Sequence, residues 1–244
     1  MVLASFKTEE NMFNMPPKFL FRPTLMNYTF MFHEGILKYV KNSAVAAFAS
    51  TFIAMVLGSL GGYALARGRM RMKNQIAFWI ITTRMAPIAA IILPLYIIFR
   101  SLHILNTIKA LIVAHTTFNL PFAIWLMMGF FREIPREVEE AALVDGCSPF
   151  QAFYRVALPL VTPGLLVTAI LSIMFSWNDY AFAVLYTAAD SQTLPVVAAR
   201  LMTMRGILWG QVMSMGTLIF VPILAAALLI RKYLVRGLTM GAIK

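Results

Sequence analysis

Residues 42–66 read NSAVAAFASTFIAMVLGSLGGYALA, a stretch without a single charged side chain between Lys41 and Arg67. A helix needs about 20 mostly apolar residues to cross the hydrocarbon core of a bilayer. Water is absent there, so each backbone polar group must be satisfied internally, and a helix does this within one segment. The stretch therefore predicts a transmembrane helix and an integral membrane protein.

Four further stretches have the same character and predict four more spans. They are residues 75–99, interrupted only by Arg84, then 110–131, 156 to about 186, and 212–230. The chain as a whole is 60% hydrophobic and 13% charged, against about 25% charged residues in an average soluble domain. We therefore expect an all-α polytopic helix bundle with a transmembrane domain at 42–230.

The basic residues predict which way the spans face, because Lys and Arg in short loops stay on the cytoplasmic side. Three basic clusters alternate so that they share one side of the predicted bundle. They are Arg67, Arg69, Arg71 and Lys73; Arg132, Arg136 and Arg155; and Arg231, Lys232, Arg236 and Lys244. This predicts a cytoplasmic C-terminal tail at 231–244. It also accounts for the net charge of +11, so nucleic acid is not an expected partner.

Residues 1–41 are then expected outside the membrane. Prolines at 16, 17 and 23 favour an irregular segment on the membrane surface. Residues 1–6 are too short to be the apolar part of a signal peptide. They read like the outer end of another helix, so we expect six spans in the complete protein, the first preceding Met1. A native start with a translocated tail is the alternative.

The loop 132–159 predicts two short helices joined at an angle. Pro135 suits a first helical turn, and three glutamates follow it near the positive end of the helix dipole. They are Glu137, Glu139 and Glu140. Asp145 and Gly146 then end the helix, glycine providing the left-handed conformation common at helix ends. A bulky residue at Gly146 is expected to clash at the bend.

The second helix of this loop has a sharply defined start. Ser148 is the expected cap, Pro149 takes the first helical position, and Gln151 completes a capping box. Beside it, Ala141 and Ala142 leave one flank of the first helix small enough to enter a groove on another protein. A loop that merely joins two spans is the alternative interpretation.

The same loop resembles the EAA loop of ABC importer permeases. Glu140-Ala141-Ala142, Gly146 and Val156-Ala157-Leu158-Pro159 occur at the spacing of that motif, with Val in place of the more usual Ile. The resemblance extends over nearly the whole chain. Within the family, the chain resembles the second permease subunit of the carbohydrate-uptake branch. The matching segments are Ser5-Phe6-Lys7-Thr8, Tyr63-Ala64-Leu65-Ala66-Arg67, Leu93-Pro94-Leu95-Tyr96, Trp177-Asn178-Asp179-Tyr180 and Val235-Arg236-Gly237-Leu238-Thr239.

This resemblance implies a helix bundle of the importer permease type in the bacterial inner membrane. Its implied partners are a homologous second permease, a dimer of ATP-binding subunits and an external solute-binding protein, with a sugar or polyol as solute. The resemblance assigns coupling to the ATPase to Glu140, Ala141, Ala142, Asp145, Gly146, Leu158 and Pro159. The sequence contains no G-x-x-x-x-G-K-[ST] loop. ATP and Mg are therefore expected on the partner subunits, with no cofactor, metal or catalytic residue in this chain.

Polar residues inside spans usually face the bundle interior because they are costly in lipid. The candidates for the translocation pathway are Arg84, Asn119, Trp177, Asn178 and Asp179. For Arg84 the possible roles are bonding solute hydroxyls, holding a neighbouring helix, or stabilising the gap near Pro87. For Trp177 ordinary anchoring at the membrane boundary is the alternative. Gly58 and Gly62 have the spacing of a close helix contact.

Two other classes of membrane protein remain as alternatives. A secondary transporter of a small polar solute usually needs carboxylates among its helices, and Asp179 is the only acidic residue within the predicted spans. A membrane-embedded hydrolase or transferase needs a nucleophile with its base, or a metal cluster. Three scattered histidines and the single Cys147 favour neither.

Overall fold

The structure is a computed structural model that describes residues 1–16, 19–203 and 206–240. The description leaves out the side chains of residues 202–203, 206–207 and 229–240. It also leaves out Pro17, Arg205 and Lys244. The side chains of the predicted tail 231–244 are therefore not described.

The described residues are predominantly helical. The first half contains seven α-helices: α1 (Val2–Ser5), α2 (Glu9–Met12), α3 (Met26–His33), α4 (Ile36–Arg67), α5 (Lys73–Thr82), α6 (Ile88–Ser101) and α7 (Ile108–Glu133). A single 3₁₀ turn, Thr83–Met85, extends α5. The prediction of an all-α fold class is confirmed.

The second half begins with a run of short helices. They are α8 (Arg136–Val144), α9 (Pro149–Ala152), a π-helical turn (Phe153–Ala157) and α10 (Leu158–Leu160). There follow α11 (Thr162–Trp177), α12 (Ala181–Tyr186), α13 (Leu194–Arg200) and α14 (Trp209–Met240). Between α13 and α14, the two-residue strands β1 (Met202–Thr203) and β2 (Gly206–Ile207) pair antiparallel.

Three helices are individually long and apolar enough to cross a membrane: Ile36–Arg67, Ile108–Glu133 and Trp209–Leu228. Two bent pairs bring the number to five if each pair counts as one span. Lys73–Met85 meets Ile88–Ser101 at 88°, and Pro149–Leu160 meets Thr162–Trp177 at 77°. Two of the five predicted stretches therefore contain a sharp bend that hydropathy alone does not reveal.

The bend in the second stretch has a local cause at Pro87. Proline removes a backbone donor and disfavours the helical conformation in the residue before it. Ala86 is accordingly extended, with φ −61° and ψ 137°. The chain leaves the 3₁₀ turn there and re-enters a helix at Ile88 in a new direction.

The predicted irregular segment 7–41 contains more helix than its prolines indicate. It includes α2 and α3, and α4 begins at Ile36 rather than at Asn42. Asn27, on α3, donates from its Nδ2 atom to the backbone oxygens of Ser5 at 3.0 Å and Lys7 at 3.1 Å. These bonds satisfy one carbonyl at the end of α1 and one just beyond it, and they hold the first residues close to α3.

The loop between α12 and α13 is fastened to the first residues of α4. Asn42 Nδ2 donates to the backbone oxygens of Asp190 at 3.0 Å and Gln192 at 2.9 Å. Lys38 forms an ion pair with the Asp190 carboxylate and holds the pKa of that carboxyl below its usual range. This loop lies at the end of the bundle opposite α8.

Helices α4 and α7 approach each other unusually closely, as Gly58 and Gly62 predict. A Cβ atom added at Gly58 would lie 2.6 Å from the Cβ of Ala123. One added at Gly62 would lie 2.8 Å from the Met127 Cβ and 2.8 Å from a backbone nitrogen. Only residues without a side chain allow this separation, so α4 and α7 form the packed centre of the bundle.

Candidate functional site

The segment between α7 and α11, residues 135–160, folds into a bent helical unit that we call the elbow. Its first helix, α8, begins at Arg136, with Pro135 preceding it in the cap position rather than within the first turn. Glu137 and Glu139 occupy that first turn, where the helix dipole favours negative charge. The helix ends at Val144 with Asp145 as its C-cap, and Gly146 follows with a left-handed φ of +88°.

The second half of the elbow begins with the predicted capping box. Ser148 Oγ accepts a bond from the Gln151 backbone amide at 3.3 Å, and Gln151 Oε1 accepts one from the Ser148 amide at 2.8 Å. Pro149 is the first helical residue. The bonds satisfy two amides that a helix start otherwise leaves unpaired, so the direction in which α9 leaves the bend is fixed.

The elbow is joined to the end of α4 by a buried ion pair, which we call the clasp. Arg67 approaches Glu139 Oε1 with its Nη2 at 2.7 Å and its Nε at 2.8 Å. Tyr63 donates from its hydroxyl to Glu139 Oε2 at 2.8 Å, and Arg67 Nη2 also donates to the Ile134 carbonyl at 2.8 Å. The two charged side chains are only 14% and 8% exposed.

The clasp is not predicted from the sequence. There, Arg67 belongs to a cluster of basic residues, and Glu139 lies near the positive end of a helix dipole. The sequence indicates one half of the clasp, because Tyr63 and Arg67 are four residues apart and therefore share a face of α4. Their partner lies 72 residues along the chain from Arg67, and nothing local predicts such a pairing.

The clasp decides which face of α8 points away from the bundle. Glu139 and Ala142 are buried, whereas Glu140 and Ala141 are exposed, as the period of a helix requires. Val144 on the same outward face is 87% exposed. The elbow therefore presents small and apolar side chains that no described part of this chain covers.

The other residues predicted to couple lie along the same unit. Asp145, Gly146 and Pro159 are exposed, and Leu158 is half-buried. Phe150, 67% exposed, adds to the uncovered apolar surface. The structure thus gathers the seven predicted coupling residues in the elbow, with Ala142 facing inward.

The expected clash at Gly146 is wrong. A Cβ atom added there meets no atom within 4 Å, because the bend projects away from the bundle. The constraint on this position is its left-handed φ of +88°, which costs an L-residue roughly 1–2 kcal/mol. Glycine is therefore required for its backbone conformation rather than for space.

A separate polar position is the half-buried Arg84, in the 3₁₀ turn before the bend. Its guanidinium carbon lies 4.5 Å from the ring centroid of Phe118, and 4.3 Å from those of Phe122 and Phe175. Such contacts stabilise a cation by about 0.5–2 kcal/mol each. We call these three rings with Arg84 the aromatic cage.

A cavity of about 380 Å³ adjoins the aromatic cage. Arg84 and Phe118 line it with residues of the bend, of α6, of α7 and of α12. Of the five predicted pathway residues, only Arg84 lines this cavity.

Asn119 is fully buried and bonds between helices. Its Nδ2 atom donates to the Ser176 hydroxyl at 2.8 Å and to the Ser172 carbonyl at 3.3 Å. Ser176 in turn lies 3.2 Å from the Ser50 hydroxyl. This small polar network connects α4, α7 and α11 in the middle of the bundle.

Trp177, Asn178 and Asp179 do not form one surface. Trp177 is buried and donates from its indole to the Ile219 carbonyl at 3.1 Å, whereas Asn178 is exposed. Asp179 accepts from two backbone amides at the start of α12 and lies 3.1 Å from His115 Nε2. Their role in a pathway stays a prediction.

Residues 54–240 match the family described as the binding-protein-dependent transport system inner membrane component. The match includes the elbow, the clasp and the aromatic cage.

Two curated relatives illustrate the similarity in sequence. The diacetylchitobiose uptake system permease protein DasC of Streptomyces coelicolor is 35% identical, over 84% of this chain and 75% of its own length. The trehalose/maltose transport system permease protein MalG of Thermococcus litoralis is 31% identical, over 100% of this chain and 89% of its own.

The fold is also found in a solved structure, the crystal structure of a bacterial ABC transporter involved in the import of the acidic polysaccharide alginate. One of its chains superimposes with a TM-score of 0.79 at 21% identity, covering 95% of this chain and 88% of that one. At this identity the likeness concerns the fold alone.

Proposed function

Because this chain belongs to the family of binding-protein-dependent transport system inner membrane components, we propose how its elbow and its bundle divide the work of solute import. The chain is a permease subunit of an ABC importer and lies in the inner membrane. It forms half of the translocation pathway, the other half coming from a homologous second permease. The solute is a sugar or polyol, supported by relatives that take up diacetylchitobiose and trehalose or maltose.

The observation that carries the coupling mechanism is the combination of an exposed elbow face with the buried clasp. The outward face, with Glu140, Ala141 and Val144, is free to enter a groove on an ATP-binding subunit. Behind it, the clasp joins α8 to α4 through two charged side chains and a tyrosine hydroxyl. A displacement of the elbow is thereby passed to a helix that crosses the bundle.

ATP is hydrolysed by a dimer of partner subunits on the cytoplasmic side. The full sequence contains no phosphate-binding loop of the G-x-x-x-x-G-K-[ST] type, so ATP and Mg belong to those partners. The distribution of basic residues supports an elbow and a C-terminus that face the cytoplasm. An external binding protein delivers the solute to the opposite end of the bundle.

Family membership favours this importer over a secondary transporter. The one carboxylate within the predicted spans, Asp179, is also already engaged. It lies 3.1 Å from His115 Nε2 and accepts hydrogen bonds from two backbone amides, which leaves it poorly placed to bind a coupling ion.

Uptake into proteoliposomes tests the proposal. The reconstituted permease pair, ATPase dimer and binding protein should accumulate a radiolabelled disaccharide only with ATP inside, and protonophores should leave the rate unchanged. Uptake that persists without the ATPase subunit, or that collapses with the proton gradient, contradicts the importer mechanism.

The contact at the elbow has its own test. Ala141→Arg should reduce co-purification of the ATPase subunit, because a long charged side chain no longer fits a groove shaped for alanine. Ala188→Arg, exposed at the opposite end of the bundle, is the matched control and should co-purify normally. Equal recovery of the ATPase with both variants would argue against docking through this face.

A further inference from the structure

The guanidinium of Arg84 is half-buried at the bend between α5 and α6, and no ion-pair partner is found for it among the described residues. Its contacts among the described residues are the three rings of the aromatic cage; no hydrogen-bond acceptor or carboxylate of the described chain reaches it. An arginine inside a span is costly unless it pairs with another group or with a ligand. The rings offset part of this cost but accept no N–H···O bonds, so the donors of Arg84 remain available.

Arg84 borders a space large enough for a small solute. The adjoining cavity has a volume of about 380 Å³, at the lower end of the range of about 300–1,000 Å³ for small-molecule sites. Its walls come from the bend, α6, α7 and α12 of this one chain.

The residues that line the cavity favour a negatively charged ligand. Thr83 and Thr117 line the cavity with Arg84, and each hydroxyl donates to a backbone carbonyl one turn earlier, at 2.7 Å and 3.0 Å. Among the described residues that line the cavity, none carries a carboxylate. The site thus has a planar, bidentate donor and no anion to compete for it, an arrangement that matches a carboxylate or phosphate group.

The remaining walls suit the body of a sugar ring. Phe118 and Phe182 are aromatic, and most of the other lining residues are aliphatic, a surface on which the C–H face of a ring can lie. From this combination we propose that the cavity beside Arg84 binds a saccharide bearing an oxyanion, with the carboxylate or phosphate on the guanidinium. The inference rests on the proposed import function and narrows its solute to an acidic sugar.

Cysteine protection tests this site directly. Cys147 is the only cysteine of the chain, so Cys147→Ser with Thr117→Cys places a single thiol in the cavity wall. The assembled transporter is placed in nanodiscs with cysteines of the partner subunits replaced. Its thiol is then titrated with methanethiosulfonate reagents bearing either a sulfonate or a trimethylammonium group.

Two results are expected. The sulfonate reagent should react about tenfold faster than the cationic one, because a local positive charge raises the concentration of anions. D-glucuronate or D-glucose 6-phosphate at millimolar concentration should slow the reaction, and D-glucose should not. Protection by glucuronate alone assigns the site to carboxylates, and protection by the phosphate sugar alone assigns it to phosphates.

Variants at Arg84 provide the second arm. Arg84→Gln should abolish both the charge preference and the protection, and Arg84→Lys should retain the charge preference. Arg100→Gln removes a positive charge from the exposed end of α6, outside the cavity lining, and should change neither. Protection by glucose equal to that by the acidic sugars, no protection by any sugar, or unchanged protection in Arg84→Gln would overturn the proposal.

ATPase activity stimulated by the binding protein is measured in the same nanodiscs. This measurement tests the import function independently of the acidic-sugar site. Stimulated hydrolysis without protection overturns the acidic-sugar site and leaves the import function standing. A transporter without stimulated hydrolysis contradicts the import function itself.

Discussion

At the scale of single residues, the clasp is a buried ion pair that serves to position the elbow. Burying two charges costs free energy that their attraction only partly offsets, and an apolar pair is often as stable. The charged groups orient the elbow, because the Arg67 guanidinium binds the Glu139 carboxylate and the Ile134 carbonyl at the same time. The outward face of α8 is oriented by these bonds.

Glu139→Gln is expected to destabilise the elbow and to weaken coupling. Removing one partner leaves the Arg67 charge buried without compensation, at a cost of about 3 kcal/mol, which a melting curve of the purified complex would record. Glu133→Gln, exposed at the end of α7, is the matched control and should melt like the unaltered protein. Equal melting temperatures for the two variants would show that the clasp contributes nothing.

At Gly146, backbone conformation rather than volume sets the expected outcome. Gly146→Val places a β-branched residue at φ +88° and should cost at least roughly 1–2 kcal/mol, or displace α9, lowering ATP-driven uptake while the protein remains inserted. Gly146→Asn adds a side chain of similar size that tolerates positive φ. Asparagine should therefore retain most uptake, and equal losses in the two variants would restore the steric explanation.

At the scale of elements, α4 and α7 are interlocked through glycine. The closest approach of an added Cβ at Gly58 is to Ala123, on the neighbouring helix. Because that neighbour is a short side chain next to backbone, it cannot swing aside. The separation of the two helices would have to increase instead.

Gly58→Leu should therefore destabilise the bundle by about 1–3 kcal/mol, the usual cost of overpacking. Gly129→Leu offers a matched comparison, since a Cβ added there meets nothing within 4 Å. The melting temperature should fall in the first variant and change little in the second. A fall of the same size in both would mean that glycine is used here for reasons other than close packing.

The elements also show what a sequence can and cannot reveal. Five apolar stretches are recognisable because the need to satisfy backbone groups in lipid acts on each segment separately. The cap at Ser148 and the left-handed Gly146 are equally local, and both appear as expected. The clasp and the aromatic cage depend on residues brought together from distant parts of the chain, which local patterns do not record.

At the scale of the whole molecule, the direction of insertion can be tested through one thiol. Cys147 lies in the elbow and is half-buried, and the distribution of basic residues predicts that the elbow faces the cytoplasm. A membrane-impermeant maleimide should label Cys147 in inside-out vesicles and leave it unlabelled in intact spheroplasts. Labelling from the outside would reverse the topology and remove the elbow from the reach of any cytoplasmic ATPase.

The clasp and the glycine seam together have a mechanical consequence. Helix α4 has 32 residues and is therefore about 48 Å long, with the elbow fastened near one end and α7 locked along its flank. A tilt of about 10° about its midpoint would move each end by roughly 4 Å. A small displacement of the elbow would thus move the far end of α4 by a similar distance in the opposite direction, as with a rigid beam on a pivot.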